Sequence, residues 1–274
     1  MALAPRAPTS RPVALRGDYG LAGRDYAIPQ GWEQYGPDEH ELWRRLWERQ
    51  SALLPTHAAP AFRAGLAGLG VDGHAIPRFE AVSARLEAAS GWRLVGVPGL
   101  IPELPFFRHL AARRFPVTVW MRRPEEVDYL VEPDLFHDFF GHVPMLVEPA
   151  FSRFVAAYGR RGAQLASARP ALLRPLARLY WYAVEFGLLR SDAGDLRAFG
   201  AGILSSRAET RHAIESPAPL RLAFDLDRVL RTDYLIDGFQ RSYFVLDGLD
   251  ALIDALDDRR FAARCAAAAA APAI

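Results

Sequence analysis

Apolar residues recur at helical spacing along most of the chain. In GPDEHELWRRLWERQSALLP, Leu42, Trp43, Leu46, Trp47 and Leu53 share one face behind a proline, which predicts an amphipathic helix whose aromatic stripe faces the core. PRFEAVSARLEAASG predicts a second helix, with Phe79, Val82 and Leu86 on one face and Gly91 as its stop. Between residues 92 and 121 the pattern shortens to two β-like runs, WRLVGV and FPVTVWM, around a short helix in PELPFFRHLAARR. Beyond residue 134 helical patterns return over 134–146, 149–168, 171–190, 203–214 and 247–264, with short strands in LRAFG and RSYFVL. There is no internal repeat and no long Pro/Gly/Ser linker, and helices do not alternate with strands as a doubly wound sheet requires. The expectation is one mainly α (α+β) domain over 25–264 with small β elements, followed by an Ala-rich tail over 265–274.

Composition narrows the function classes. The chain has 274 residues, is 51% hydrophobic and 24% charged, and carries a formal net charge of +1. With no lysine, its 33 basic residues are all arginine, and 32 acids are spread among them, so there is no nucleic-acid footprint. The single cysteine, Cys265, excludes an intrachain disulfide, a thiolate zinc site and an iron–sulfur cluster, and fits a reducing cytoplasm. No apolar run approaches the roughly 18 residues of a membrane span. The first 24 residues lack the apolar stretch of a secretory signal and read as a disordered lead-in.

The chemistry concentrates in EPDLFHDFFGH, where His137 and His142 lie five positions apart. A regular helix turns about 100° per residue, so residues five apart point about 140° away from each other. Both can hold one metal only if His137 sits in an opening turn or the helix carries a π-type bulge. The alternative is two core histidines, each satisfied by a backbone carbonyl. A second feature bears on the choice: in LYWYAVEFGLL, Glu185 is the one charge in a run that is apolar or aromatic on every helical face. A buried carboxylate needs a cation, either an arginine or a metal held by the two histidines. Two imidazoles and a carboxylate with open positions match the facial triad of non-haem Fe(II) oxygenases, with zinc hydrolysis as the competing chemistry and Asp138 as its possible base.

EPDLFHDFFGHVPML, YWYAVEFGLL and AFGAGILSS, in this order, closely resemble the pterin-dependent aromatic amino acid hydroxylases, above all their short bacterial phenylalanine-hydroxylating members. The likeness runs from DYAIPQGW at residue 25 to about residue 262. It implies a helix-dominated, basket-like catalytic domain that uses mononuclear Fe(II), a tetrahydropterin such as tetrahydrobiopterin, and O₂ to convert L-phenylalanine to L-tyrosine. It makes His137, His142 and Glu185 the iron ligands. It also makes Arg122 the clamp on the substrate carboxylate, Asp134 the support of that clamp and Ser205, with Gly202 beside it, part of the amino acid pocket. Trp181, Phe186 and Pro133 become walls around the substrate ring, Phe106 the aromatic stacked on the pterin (with Phe107 its rival), and Asp138 an acid bridged to the pterin by water.

The resemblance also separates substrates. Tyrosine-specific members place an acid near LIDGF, where Ile236 aligns here with Asp237 next to it, and Leu130 stands where animal members often have threonine. Phenylalanine is the expected substrate, with tryptophan the alternative. The regulatory domain and coiled-coil tail of animal members have no counterpart here, so a monomer is expected, with oxidised pterin regenerated by a separate dehydratase and reductase.

Overall fold

The computed structural model describes residues 15–128, 130, 132–191 and 193–274. Among these the helices are α1 (Pro37–Ser51), α2 (Leu54–His57), α3 (Pro60–Gly68), α4 (Phe79–Ser90), α5 (Glu103–Ala111) and α6 (Pro149–Ala168), followed by α7 (Leu173–Tyr180), α8 (Ala201–Leu204), α9 (Arg207–Ile214), α10 (Leu226–Arg231), α11 (Asp250–Asp257) and α12 (Phe261–Ala270). The strands are few and short: β1 (Arg93–Val97) pairs in parallel with β2 (Arg114–Thr118), from Arg93 opposite Arg114 to Val97 opposite Thr118. A four-stranded sheet is ordered β4 (Leu196–Ala198), β3 (Gly187–Arg190), β6 (Ser242–Leu246), β5 (Leu220–Ala223). The chain is helix-dominated with small β elements, as its sequence pattern predicts.

The elements follow from local chemistry. The Glu39 carboxylate accepts from the backbone N–H of Gly36 at 2.9 Å and secures the start of α1, whose Pro37 needs no donor there. Leu42, Trp43 and Leu46 are buried, and the aromatic stripe is core. Trp43 meets Phe136 and Phe139 edge-on at 5.3 and 5.6 Å, and Trp47 meets Phe140 at 5.1 Å. Each such ring contributes roughly 1.5–3 kcal/mol by leaving water. This packing takes the phenylalanines of FHDFFGH to one side and leaves the histidines free to face the other. Gly91, at φ +75°, ends α4 as expected.

Two readings are corrected. The helix expected over 171–190 stops at Glu185, and Gly187–Arg190 becomes the central strand β3, because a short apolar run suits a buried strand as well as a helix. The helix expected over 247–264 is two, broken at Asp258, whose carboxylate takes the backbone N–H of Arg260. The structure adds α3, β5 and α10, in segments for which the sequence pattern predicts no element. One continuous apolar core joins α1 through α12, and no helix among the described residues is long and apolar enough to cross a membrane.

Of the expected lead-in, residues 1–14 lie outside the described residues. Arg16 pairs with Glu126 and lies over Trp120, and the Tyr19 hydroxyl donates to the Leu100 carbonyl at 2.9 Å. The Ala-rich tail is helical to Ala270, with Cys265 buried, and its last residue exchanges backbone hydrogen bonds with Arg231 and Asp233.

Candidate metal centre

Residues His137–His142 form a π-helical turn, and so do Trp181–Glu185. A π-helix bonds i to i+5, so side chains five apart stack on one face. The two imidazoles therefore meet, with ring centroids 5.1 Å apart. In the second turn Phe186 N–H donates to the Trp181 carbonyl at 2.8 Å and brings those two rings to 5.1 Å. α8 packs on both π-turns and joins them. The close approach depends on Gly141, where a Cβ would lie 2.9 Å from the Ala201 Cβ and carbonyl oxygen.

Glu185 lies between the histidines. Its Oε2 is 3.5 Å from His137 Nε2 and its Oε1 3.3 Å from His142 Nε2, with the carboxylate 1% exposed. Among the described residues no arginine pairs with Glu185. His137 Nε2 and Glu185 Oε1 are buried without a hydrogen-bond partner, the condition of ligand atoms awaiting a cation. Burial would push the Glu185 carboxyl up, but the two imidazoles hold it well below the usual carboxylate range. Burial would equally lower His137, yet the Glu185 carboxylate raises it above the ordinary histidine value. His137 Nδ1 lies 2.8 Å from Ser205 Oγ. With a proton on Nδ1 shared with that hydroxyl, the Nε2 lone pair is free for a cation held between it and Glu185. Two nitrogens and one carboxylate, with no sulfur, fit a borderline divalent metal such as Fe(II).

Asp138 also offers an oxygen within 4.8 Å of the histidine ligand atoms. However, its Oδ2 accepts from Thr118 N–H at 2.8 Å, so the strand β2 already claims it. Glu185, with an unclaimed oxygen, is the better third ligand.

Beside the triad opens a cavity of about 420 Å³. Arg122, Pro133, His137, Trp181, Glu185, Phe186, Gly202 and Ser205, all singled out in the sequence, line it. Asp134, fully buried, takes Arg122 Nε and Nη2 at 2.9 and 2.8 Å, and also the backbone N–H groups of Arg122 and His137 at 2.9 and 3.0 Å. One carboxylate thus fixes both the arginine and the start of the histidine turn. Burial opposes both charges, but Arg122 holds the Asp134 carboxyl below its ordinary value and Asp134 keeps the guanidinium charged.

Asp134, Asp138, His142 and Phe106 lie outside the cavity lining. Phe106 is buried, 5.7 Å from the Tyr180 ring, which in turn lies 6.4 Å from His142. Phe107 turns instead to Tyr158. Leu130, Ile236 and Asp237 all reach the cavity. Sequence reasoning missed Glu209, Phe239 and Gln240, which also line it. Glu209 stands in the first turn of α9 between two arginines, where the sequence alone cannot tell it from a helix-dipole partner. Its carboxyl is pushed up to about 7, chiefly by burial.

The comparisons agree with this geometry. The family described as biopterin-dependent aromatic amino acid hydroxylase matches residues 26–267. The phenylalanine-4-hydroxylase of Ralstonia nicotianae is 47% identical over 237 residues, covering 81% of this chain and 75% of its own. That of Chromobacterium violaceum is 48% identical over 219 residues, covering 79% and 73%. A crystal structure of the Chromobacterium violaceum enzyme with iron(III) and 7,8-dihydrobiopterin superposes with a TM-score of 0.86 at 46% identity, covering 91% of this chain and 88% of that one. Another, with iron and phenylalanine bound, gives 0.86 at 44% identity over 93% and 92%. With the family match running over residues 26–267, a range that contains the triad and the cavity beside it, this chain belongs to the biopterin-dependent aromatic amino acid hydroxylases.

Proposed function

We propose that the chain hydroxylates L-phenylalanine to L-tyrosine with O₂ and a tetrahydropterin, at an Fe(II) held by His137, His142 and Glu185. The observation that carries the reading is one cavity in which a fixed guanidinium, two aromatic walls and two of the three metal-ligating side chains converge. When bound, iron and reduced pterin supply the activation of O₂; the protein's own residues supply position. Arg122, immobilised by Asp134, receives the substrate carboxylate, a task suited to its planar donor array. Ser205 Oγ accepts from His137 Nδ1 and keeps its own proton for that carboxylate. Trp181 and Phe186, tilted 32° to each other, and Pro133 border a slot for a flat ring. Trp181 is itself stacked on Tyr234 at 4.1 Å, which limits its freedom. With its carboxylate on Arg122 and its ring in this slot, phenylalanine presents its far edge to His137 and Glu185. The aromatic walls and the buried triad exclude water from that edge.

Phe106 and Asp138 serve the pterin in this reading. The protein acts as a single-domain cytoplasmic monomer over about 25–264, and separate dehydratase and reductase proteins return the pterin to its reduced state.

The test is tyrosine formation by the Fe(II)-loaded protein supplied with phenylalanine, tetrahydropterin and air, with pterin omitted as control. Pterin-dependent tyrosine supports the reading. Hydroxylation of tryptophan in preference to phenylalanine would overturn the substrate, and absence of pterin dependence would overturn the reaction.

A further inference from the structure

Residues 235–239 form the mouth of the cavity, with Ile236 and Phe239 large, apolar and about half exposed. Such a segment needs something to hold it, and every polar group of the buried Gln240 is committed to that task. Its side-chain oxygen accepts from Leu235 N–H at 3.1 Å, and its side-chain amide donates to the Leu235 carbonyl at 2.6 Å. Its backbone carbonyl lies 3.1 Å from His212 Nε2, which must be the donor because a carbonyl only accepts. Its backbone N–H reaches Glu209 Oε1 at 3.5 Å, and the same oxygen accepts from the Tyr243 hydroxyl. His212 also stacks on Phe239, with ring centroids 4.7 Å apart and planes 15° from parallel. The mouth is therefore tied at its two ends to each other, and through Gln240 to two residues one turn apart on α9.

We infer that Gln240, braced by Glu209 and His212, is a positioning residue that holds 235–239 at the mouth of the amino acid cavity and so governs affinity and selectivity for the substrate side chain. This rests on the reading of the cavity as the phenylalanine site. None of the hydrogen bonds or ring contacts of these three residues goes to the triad or Arg122, so the inference separates substrate capture from the chemical step. A loosened mouth raises KM for the amino acid without slowing kcat, and admits a wider ring.

Two measurements on the full chain distinguish failure of the inference from failure of the functional reading. The first is hydrogen exchange of the 232–242 segment, which needs no turnover. Replacing Gln240 by Leu, similar in size but without hydrogen bonds, should speed exchange there by at least about tenfold, since two side-chain bonds of ordinary strength are lost. The second is steady-state kinetics with iron content matched to the parent. KM for phenylalanine should rise about tenfold, with kcat within about threefold, KM for tetrahydropterin unchanged, and the tryptophan-to-phenylalanine ratio of kcat/KM increased several-fold. Glu209→Leu, which removes the acceptor for Gln240 and Tyr243, should follow Gln240→Leu. If Gln240→Leu does not fold, His212→Ala, at a half-buried position, should still raise KM for phenylalanine about threefold. Unchanged exchange, unchanged KM for phenylalanine, or equal damage to phenylalanine and pterin kinetics would overturn the inference.

Discussion

The Arg122–Asp134 pair links stability to substrate binding, and replacing Asp134 by Asn tests that link at constant shape. Asp134 is completely buried and accepts four hydrogen bonds, two from the guanidinium and two from backbone N–H groups. An asparagine keeps one acceptor oxygen but turns an NH₂ against donors and strips the counter-charge from an arginine side chain that is only 6% exposed. Breaking a buried pair from one side costs about 3–5 kcal/mol, because the remaining charge has no water to return to. For a domain of this size, each kcal/mol moves Tm by roughly 2–4 °C, so a fall of about 10 °C is expected. Thermal melts of metal-free protein measure it without reference to turnover. KM for phenylalanine should rise in the same variant, because Arg122 is no longer held. A cycle with Arg122→Met checks the origin of the effect: the double variant should be more stable than the sum of the singles predicts, since neither charge is left alone. A Tm within about 2 °C of the parent, or strict additivity in the cycle, would refute the assignment of Asp134 as the anchor of the clamp.

Three further outcomes follow from the same geometry. Glu185→Ala should remove tight iron binding while the metal-free protein melts close to the parent, as read by iron content and Tm; full iron occupancy would exclude Glu185 as a ligand. Ser205→Ala frees the His137 ring and should weaken iron affinity or turnover by about 10–100-fold, the usual effect of losing a partner that orients a ligand, checked by competitive metal titration. The Glu209 carboxyl, pushed up to about 7 by burial, binds its proton more tightly in the folded chain than in the unfolded one. Its contribution to stability is complete below about pH 4.5 and is lost as pH rises through about 7, a change of about 3 kcal/mol. Glu209→Gln should therefore flatten the decline in stability between pH 5 and pH 8, and denaturant midpoints at those two values measure it.

Much of the site was legible because metal chemistry constrains sequence tightly. Glu185 is the one charge in its apolar run, and a regular helix could not bring His137 and His142 together, so the five-residue spacing itself called for an irregular backbone. The structure meets that need with a π-turn. The second π-turn left no such trace: it carries one ligand, and a single residue has no spacing to betray the backbone's period. The strand β3 was hidden for a related reason. Residues 187–189 are glycine and two leucines, a short apolar run that fits either a helix or a central strand, and the choice was made by pairing with residues 244–246, more than fifty positions away.

The mouth of the cavity was illegible for a different reason. Gln240 and Glu209 are polar residues whose partners are mostly backbone groups or a distant tyrosine, and no spacing rule connects position 209 to 240 or 243. Ligands announce themselves because few residue types can bind a metal, whereas almost any polar side chain can hold a loop by its backbone. The sequence is therefore most explicit about the reacting centre and least explicit about the parts that decide which molecule reaches it. Relatives with the same triad can accordingly differ in substrate through the 235–240 segment while the chemistry at His137, His142 and Glu185 stays the same.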